Sequence, residues 1–215
     1  MMGADVNALG GEGAGVIPRV CEEIFLRKCM AEAEGRSRWT LELGYVEVYN
    51  ERVSDLLAER PKDAKTTDEV FLEVREHQKD GVFIVGQRFV VVDSPADVVR
   101  YIEMGNKVRH TAATKMNKCS SRSHAIVMLS LKEERTNTSK KGKMKTAGRS
   151  SRMNLVDLAG SERVKQSQAE GQQFKEATHI NLSLTTLGRV VDMLADNANK
   201  SDKSQMMVPH TASRS

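Results

Sequence analysis

Apolar side chains recur along the chain in two rhythms. Between Trp39 and Tyr49 the period is two: Leu41, Leu43 and Tyr45 share one face, Val46 and Val48 the other. Apolar positions on both faces predict a strand buried in the middle of a sheet. Ahead of it, Ile17, Val20, Cys21, Ile24 and Phe25 follow at helical spacing, and Pro18 suits a first helical turn. A helix of about three turns packing one face on the sheet is expected there. Val70 to Val92 is strand-rich, with Gly81 and Gly86 as turns or bulges. Ser94-Pro95 has the form of a helix start, serine as N-cap and proline in the first position. Val98, Val99, Ile102 and Met104 continue that helix as far as Gly105.

Two further apolar strands, Ala125 to Lys132 and Met153 to Val156, flank a polar, basic stretch from Thr136 to Ser151. With Lys140, Lys141, Lys143 and Lys145 inside it, this stretch reads as a solvated hairpin loop, the alternative being a weak electrostatic contact. Ile180, Leu184, Leu187, Val191 and Leu194 recur at three or four residues and predict an amphipathic helix. Residues from Ala4 to Gly15, Arg60 to Glu69 and Asn197 to Gln205 read as loops, and Arg163 to Phe174 is expected to be mobile. Strands alternating with helices predict an α/β fold.

Composition narrows the function classes. The chain is 39% hydrophobic and 29% charged, the balance of a soluble globular protein. With 33 Lys and Arg against 29 Asp and Glu the net charge is +4, and aromatic residues are 4%. That is too mild and too poor in stacking groups for a dedicated nucleic-acid binder. Cys21, Cys29 and Cys119 have no C-x-x-C spacing, so a reduced compartment is expected, with Cys21 and Cys29 as packing residues and no zinc site. No stretch approaches membrane-spanning length and no secretory leader pattern is present, which places the expected location in the cytoplasm.

Candidate chemistry concentrates in two stretches: Asn117-Lys118-Cys119-Ser120-Ser121-Arg122-Ser123-His124 and Asp157-Leu158-Ala159-Gly160-Ser161-Glu162. The second opens with an acid at the carboxyl end of the strand Met153 to Val156. Such an acid, followed by a glycine-containing turn, is how phosphate-binding α/β proteins hold Mg²⁺ and sense a γ-phosphate. The serine hydroxyls of the first stretch can meet a metal or a phosphate oxygen, and Arg122 has an obvious partner in Glu162. Either string alone also reads as a polar loop. Together, one strand and one loop apart, they favour a nucleotide site.

These residues carry a resemblance. N-x-x-S-S-R-S-H and D-L-A-G-S-E are the switch I and switch II signatures of the kinesin motor domain. Three further strings agree with that family: Gly15 to Arg19, Tyr45 to Leu57, and Ile180 to Gly188. The likeness is collinear from Met1 to about Pro209. Leu72 to His77 and Met104 to Arg109 look most like the vesicle-transporting kinesin-three class. The resemblance implies a three-layer, P-loop NTPase-like α/β motor fold: a central, mostly parallel or mixed sheet with helices on both faces, here incomplete. It also implies ATP and Mg²⁺ as cofactors, the microtubule as partner, and ATP hydrolysis coupled to movement along it.

Site roles follow from the same resemblance. Ser121 should reach Mg²⁺ and Asp157 should hold it through a water. The Gly160 amide should contact the γ-phosphate, Ser120 should orient the attacking water, and Asn117 belongs to the same nucleotide-facing set. Arg122 and Glu162 should form the ion pair that closes the two switches. His124 is expected to anchor its loop rather than move protons. Arg163, Lys165, Lys175 and Arg189 are the candidate microtubule contacts, with Lys200 and Lys203 as outlying charges. Leu182 stands where the family usually has lysine, which removes one basic contact.

Departures from the family temper these expectations. No G-x-x-x-x-G-K-[ST] occurs in the chain. Residues 1–209 therefore read as the central and microtubule-facing part of a motor domain, for which tight ATP binding and soluble folding in isolation are not expected. After Pro209, His210-Thr211-Ala212-Ser213-Arg214-Ser215 breaks the family pattern. With suitable codons, a one-base shift turns it into Tyr-Arg-Glu-Ser-Leu, so residues 210–215 read as a divergent or frame-shifted tail. The alternatives are a non-hydrolysing microtubule-binding module and a decayed gene product.

Overall fold

The structure is a computed structural model that describes residues 13–35, 37–59, 71–77, 81–115, 123–138, 144–159, 185–193 and 195–196. Helix α1 (Val16–Ala33) precedes strand β1 (Ser37–Tyr49), the short strands β2 (Arg52–Asp55) and β3 (Phe71–Leu72), the hairpin β4 (Val74–His77) and β5 (Gly81–Ile84), and β6 (Val90–Val92). Helix α2 (Pro95–Lys115) then leads to the long strands β7 (His124–Thr138) and β8 (Met144–Asp157). Residues 185–193 are helical, within the stretch where the apolar spacing predicts an amphipathic helix.

Strand β1 is the axis of the main sheet, whose order is β3-β2-β1-β7-β8 with β6 also against β1. One edge of β1 pairs with β7 from Ser37↔Arg135 to Val48↔His124; the other pairs with β6 at Leu41–Leu43 and with β2 at Val46–Tyr49. Its two-faced apolar pattern is used as expected. Leu41, Leu43 and Tyr45 meet Val127 and Leu129 beneath Ile17, Cys21 and Phe25 of α1 and Val98 and Ile102 of α2. Val46 lies on the opposite face with Val53 and Met128, covered by Ile84 and Phe89.

The expected class, helices on a sheet, is what the chain forms. Every strand pairing among the described residues is antiparallel, and α1 and α2 lie on the same face of the sheet. Parallel neighbours and a second helical layer are not found among the described residues.

Three local expectations are corrected. Helix α1 has 18 residues, well beyond three turns, because its second half needs no apolar stripe once the first half is docked. Helix α2 does not stop at Gly105 but continues ten residues further, to Lys115. Gly105 is there for contact: a Cβ on it would stand 2.4 Å from Cδ1 of Tyr45 and 3.2 Å from Cβ of Leu56. The basic stretch 136–151 is mostly strand, since β7 and β8 stay in register from Ala125↔Asp157 to Thr138↔Met144. A two-stranded ribbon satisfies its backbone by pairing alone, so it extends past the core without apolar side chains.

Cysteine usage is also half as expected. Cys21 is buried, and burial with Glu22 nearby pushes its thiol up to about 12, an inert packing residue. Cys29, two turns further along α1, is exposed. The start of α2 is as predicted. Ser94 Oγ accepts from the Asp97 amide at 3.1 Å and donates to Asp97 Oδ2 at 2.8 Å, a reciprocal cap ahead of Pro95. That capping bond holds the Asp97 carboxyl below the usual range.

Candidate functional site

Antiparallel order brings β1 and β8 to the same end of the sheet with their carboxyl termini, where β7 begins. Glu47, Ala125 and Asp157 form one cross-strand row there, since Glu47 pairs with Ala125 and Ala125 with Asp157. Side chains alternate along strands, so the odd positions 41, 43, 45 and 47 of β1 share the helix-covered face. The apolar stripe of β1 therefore ends on a carboxylate. Helix α2 runs a matching stripe, Val98, Ile102, Asn106 and Arg109, along the same face. Val98 and Ile102 join the apolar core, Asn106 Oδ1 accepts from the Tyr45 hydroxyl at 2.7 Å, and Arg109 reaches Glu47.

Arg109, Glu47 and Ser123 are joined in one hydrogen-bonded cluster. Arg109 Nε donates to Glu47 Oε1 at 3.0 Å, and these side chains are 14% and 8% exposed. Arg109 Nη2 donates to both oxygens of Ser123, the hydroxyl at 2.8 Å and the carbonyl at 2.9 Å. The Ser123 hydroxyl itself donates a hydrogen bond to Glu47 Oε1 at 2.6 Å. A guanidinium does this because its donors lie in one rigid plane, which an ammonium cannot imitate.

His124 makes the next tie. The backbone N–H of Ala159 donates to His124 Nδ1 at 2.9 Å, joining the start of β7 to the turn that leaves β8 after Asp157. His124 thus anchors its segment, as the sequence suggested. The bond needs an unprotonated Nδ1, and burial together with the Arg109 charge holds this imidazole below its ordinary value of 6.5. A depressed histidine pKa means that the folded state takes up the proton less readily than the unfolded chain. Its contribution to stability is complete above the unfolded value, is lost progressively as pH falls from there through the folded value, and is constant again below. We expect the midpoint of thermal unfolding to drop on acidification from about pH 7 to about pH 5.5, and His124→Phe to remove that component. An unchanged pH slope in the variant would contradict the assignment.

Of the expected site residues, Asp157 and Arg189 fall within the description. Asp157 is exposed at the end of β8, in the row just described, and close enough to Tyr45 for its charge to act on the phenol. The Tyr45 hydroxyl is pushed up mainly by burial, with Arg109 opposing and Asp157 and Glu47 adding to the rise. Arg189 is exposed on the helix at 185–193, whose Leu187 and Val191 are exposed too. Asn117, Ser120, Ser121, Arg122, Gly160, Glu162, Arg163, Lys165, Lys175, Lys200 and Lys203 lie outside the described residues, as do Cys119 and the tail 210–215. So does the proposed Arg122–Glu162 pair.

Sequence reasoning missed Glu47 and Arg109. The available signal was the meeting of two stripes: an every-second-residue stripe on β1 ending in an acid, and a three-and-four-residue stripe on α2 ending in a base. Among the described residues no group of three metal-ligating side chains occurs, and no helix is long and apolar enough to cross a membrane.

Comparison with known proteins gives a consistent result. The family model described as the kinesin motor domain matches residues 1–214. Kinesin-like protein K39 of Leishmania chagasi is 70% identical over 210 residues, 97% of this chain and 22% of that protein. Kinesin-like protein KIF13B of Homo sapiens is 42% identical over 194 residues, 90% of this chain and 10% of that protein. Among solved structures, KIF14[391-755] with ADP in complex with a microtubule superposes with a TM-score of 0.79 at 37% identity, over 94% of this chain and 54% of that one. The chain thus spans about a fifth or less of these two curated relatives and about half of the solved motor.

Proposed function

The chain belongs to the kinesin motor-domain family, and on that premise we propose that it forms the nucleotide-sensing centre of a microtubule motor, coupling ATP hydrolysis to movement. The observation that carries this reading is the cross-strand row Glu47–Ala125–Asp157. It sets the exposed Asp157 beside the start of β7, the strand that His124 opens.

An exposed carboxylate at a strand's carboxyl end suits a hard cation held through water. Asp157, with Ser121, is the pair that would hold Mg²⁺, and Asn117 and Ser120 would face the nucleotide. Bound Mg²⁺ would neutralise the charge that develops on the transferred phosphoryl group. Ser120 would orient the attacking water. Gly160, having no side chain, lets its amide approach the γ-phosphate. Arg122 and Glu162 would pair across the two loops and define a closed state that nucleotide favours and hydrolysis releases. Arg163, Lys165, Lys175 and Arg189, with Lys200 and Lys203 further out, would meet the acidic surface of tubulin. A cytoskeletal location follows from that partner, within the cytoplasm.

The test is made on the full natural protein that carries this chain. Co-sedimentation with microtubules should be strong with AMP-PNP and weaker with ADP, and microtubules should stimulate ATP hydrolysis. Asp157→Asn should reduce stimulated kcat by at least about a hundredfold, the scale of losing a group that stabilises transition-state charge. Absence of both microtubule binding and hydrolysis in the unmodified protein would refute the proposal.

A further inference from the structure

We propose that Arg109 is a positioning residue: with Glu47 it clamps Ser123 and so sets the path of the nucleotide-facing residues immediately ahead of β7. The inference rests on the functional reading above and adds to it a residue that lies on a helix, outside both signature stretches.

The geometry is more specific than helix docking requires. Apolar contacts already seat α2 on β1, through Val98 and Ile102 against Leu41, Leu43 and Tyr45. A buried ion pair at the end of that seam brings little net stability over an apolar pair of the same volume. What it brings is direction. One guanidinium holds the Ser123 carbonyl and hydroxyl together, and the hydroxyl closes the ring onto Glu47 Oε1. The Ser123–His124 peptide, which carries that carbonyl, is thereby fixed in orientation relative to α2 and β1, and Ser123 is held in place with it. The following residue, His124, is fixed to Ala159, two residues past Asp157. Two consecutive residues thus tie the entry of β7 to α2 and β1 on one side and to the exit of β8 on the other. A displacement after Asp157 is passed to Ser123 through one residue, and Arg109 decides whether Ser123 yields.

The experiment uses the full natural protein with three changes: the pair Glu47→Leu with Arg109→Met, Ser123→Ala, and Arg100→Met as a control. Arg100 lies on the same helix, exposed, in an ion pair with Asp97. Replacing both residues together removes their ion pair as a unit, so the double variant should unfold as cooperatively as the unmodified protein. Amide hydrogen exchange at residues 123–127 should quicken by at least about tenfold in the double variant, reporting local opening without global unfolding. Microtubule-stimulated kcat should fall by about tenfold to a hundredfold with KM for microtubules unchanged, the mark of misplacement rather than weaker binding. Ser123→Ala, which keeps the carbonyl bond and the Arg109–Glu47 contact, should show the same pattern in smaller measure. Arg100→Met should change none of these.

A folded double variant with normal kcat, or a loss of kcat without faster exchange at 123–127, overturns the inference. If the double variant does not fold, Ser123→Ala decides on the same two readouts. An unmodified protein that neither hydrolyses ATP nor binds microtubules removes the functional reading and this role with it. Unchanged exchange in the variants of an otherwise active protein removes the inference alone.

Discussion

Gly105→Val is expected to destabilise the fold by about 3 kcal/mol, the upper part of the range for overpacking a core. The new Cβ would stand 2.4 Å and 2.7 Å from two ring carbons of Tyr45 and 3.2 Å from Cβ of Leu56. None of these is the free end of a flexible side chain. Tyr45 is 3% exposed and its hydroxyl is bonded to Asn106 on the next position of α2, so the ring is held at both ends. Relief would require the helix to lift from β1, opening the core that Ile102 and Leu43 share as well. Gly105→Ala should cost less, because alanine recovers about 1 kcal/mol of helix propensity. The measurement is urea unfolding of Gly105→Ala alone and with Tyr45→Ala. The alanine should be tolerated, or even stabilise, once the ring is gone. Strictly additive effects would show that the ring contact is not the cause.

Glu47→Leu is expected to cost about 3–5 kcal/mol, because it takes the Glu47 carboxylate away from the largely buried Arg109 guanidinium that it pairs with. Ser123 cannot compensate: its hydroxyl and carbonyl already accept from that guanidinium, and the hydroxyl loses its own acceptor in the change. Glu47→Gln should cost less, since the amide oxygen still accepts from Arg109 while the charge is lost. Adding Arg109→Met to Glu47→Leu should restore most of the lost stability. That recovery separates a charge stranded in the core from a simple loss of packing. If the double variant is as unstable as Glu47→Leu alone, the packing of the glutamate, and not its charge, is what matters.

Much of the fold was legible because its determinants are local. The period-two pattern from Trp39 to Tyr49 assigned β1 to the middle of a sheet, and its two faces sort as the alternation requires. Ser94-Pro95 marked the start of α2 because a cap is an interaction across three residues. Gly81 and Gly86 adopt positive φ, the conformation that turn glycines permit. Asp157 was legible as a strand-end acid, and His124 as an anchor. Less legible was the ribbon at 136–151. Its strands are held by backbone pairing to each other, which leaves no hydrophobic signature, so its polar sequence resembles that of a loop.

By itself, then, the sequence determined the α/β class, the central strand, the helix starts and the two signature stretches that carry the family. These rest on spacing, capping and residue chemistry within a few positions, all of which are written along the chain. Only the tertiary structure decided that Gly105 is a close-approach position inside α2 rather than its end. It alone disclosed that Arg109 and Glu47, separated by 62 positions, close on Ser123. Spacing records which residues share a face, but not which faces meet or at what offset. A glycine that ends a helix and one that admits a ring are the same letter until the helix is docked. A surface arginine and a buried clamp differ only by what the opposing strand brings to them.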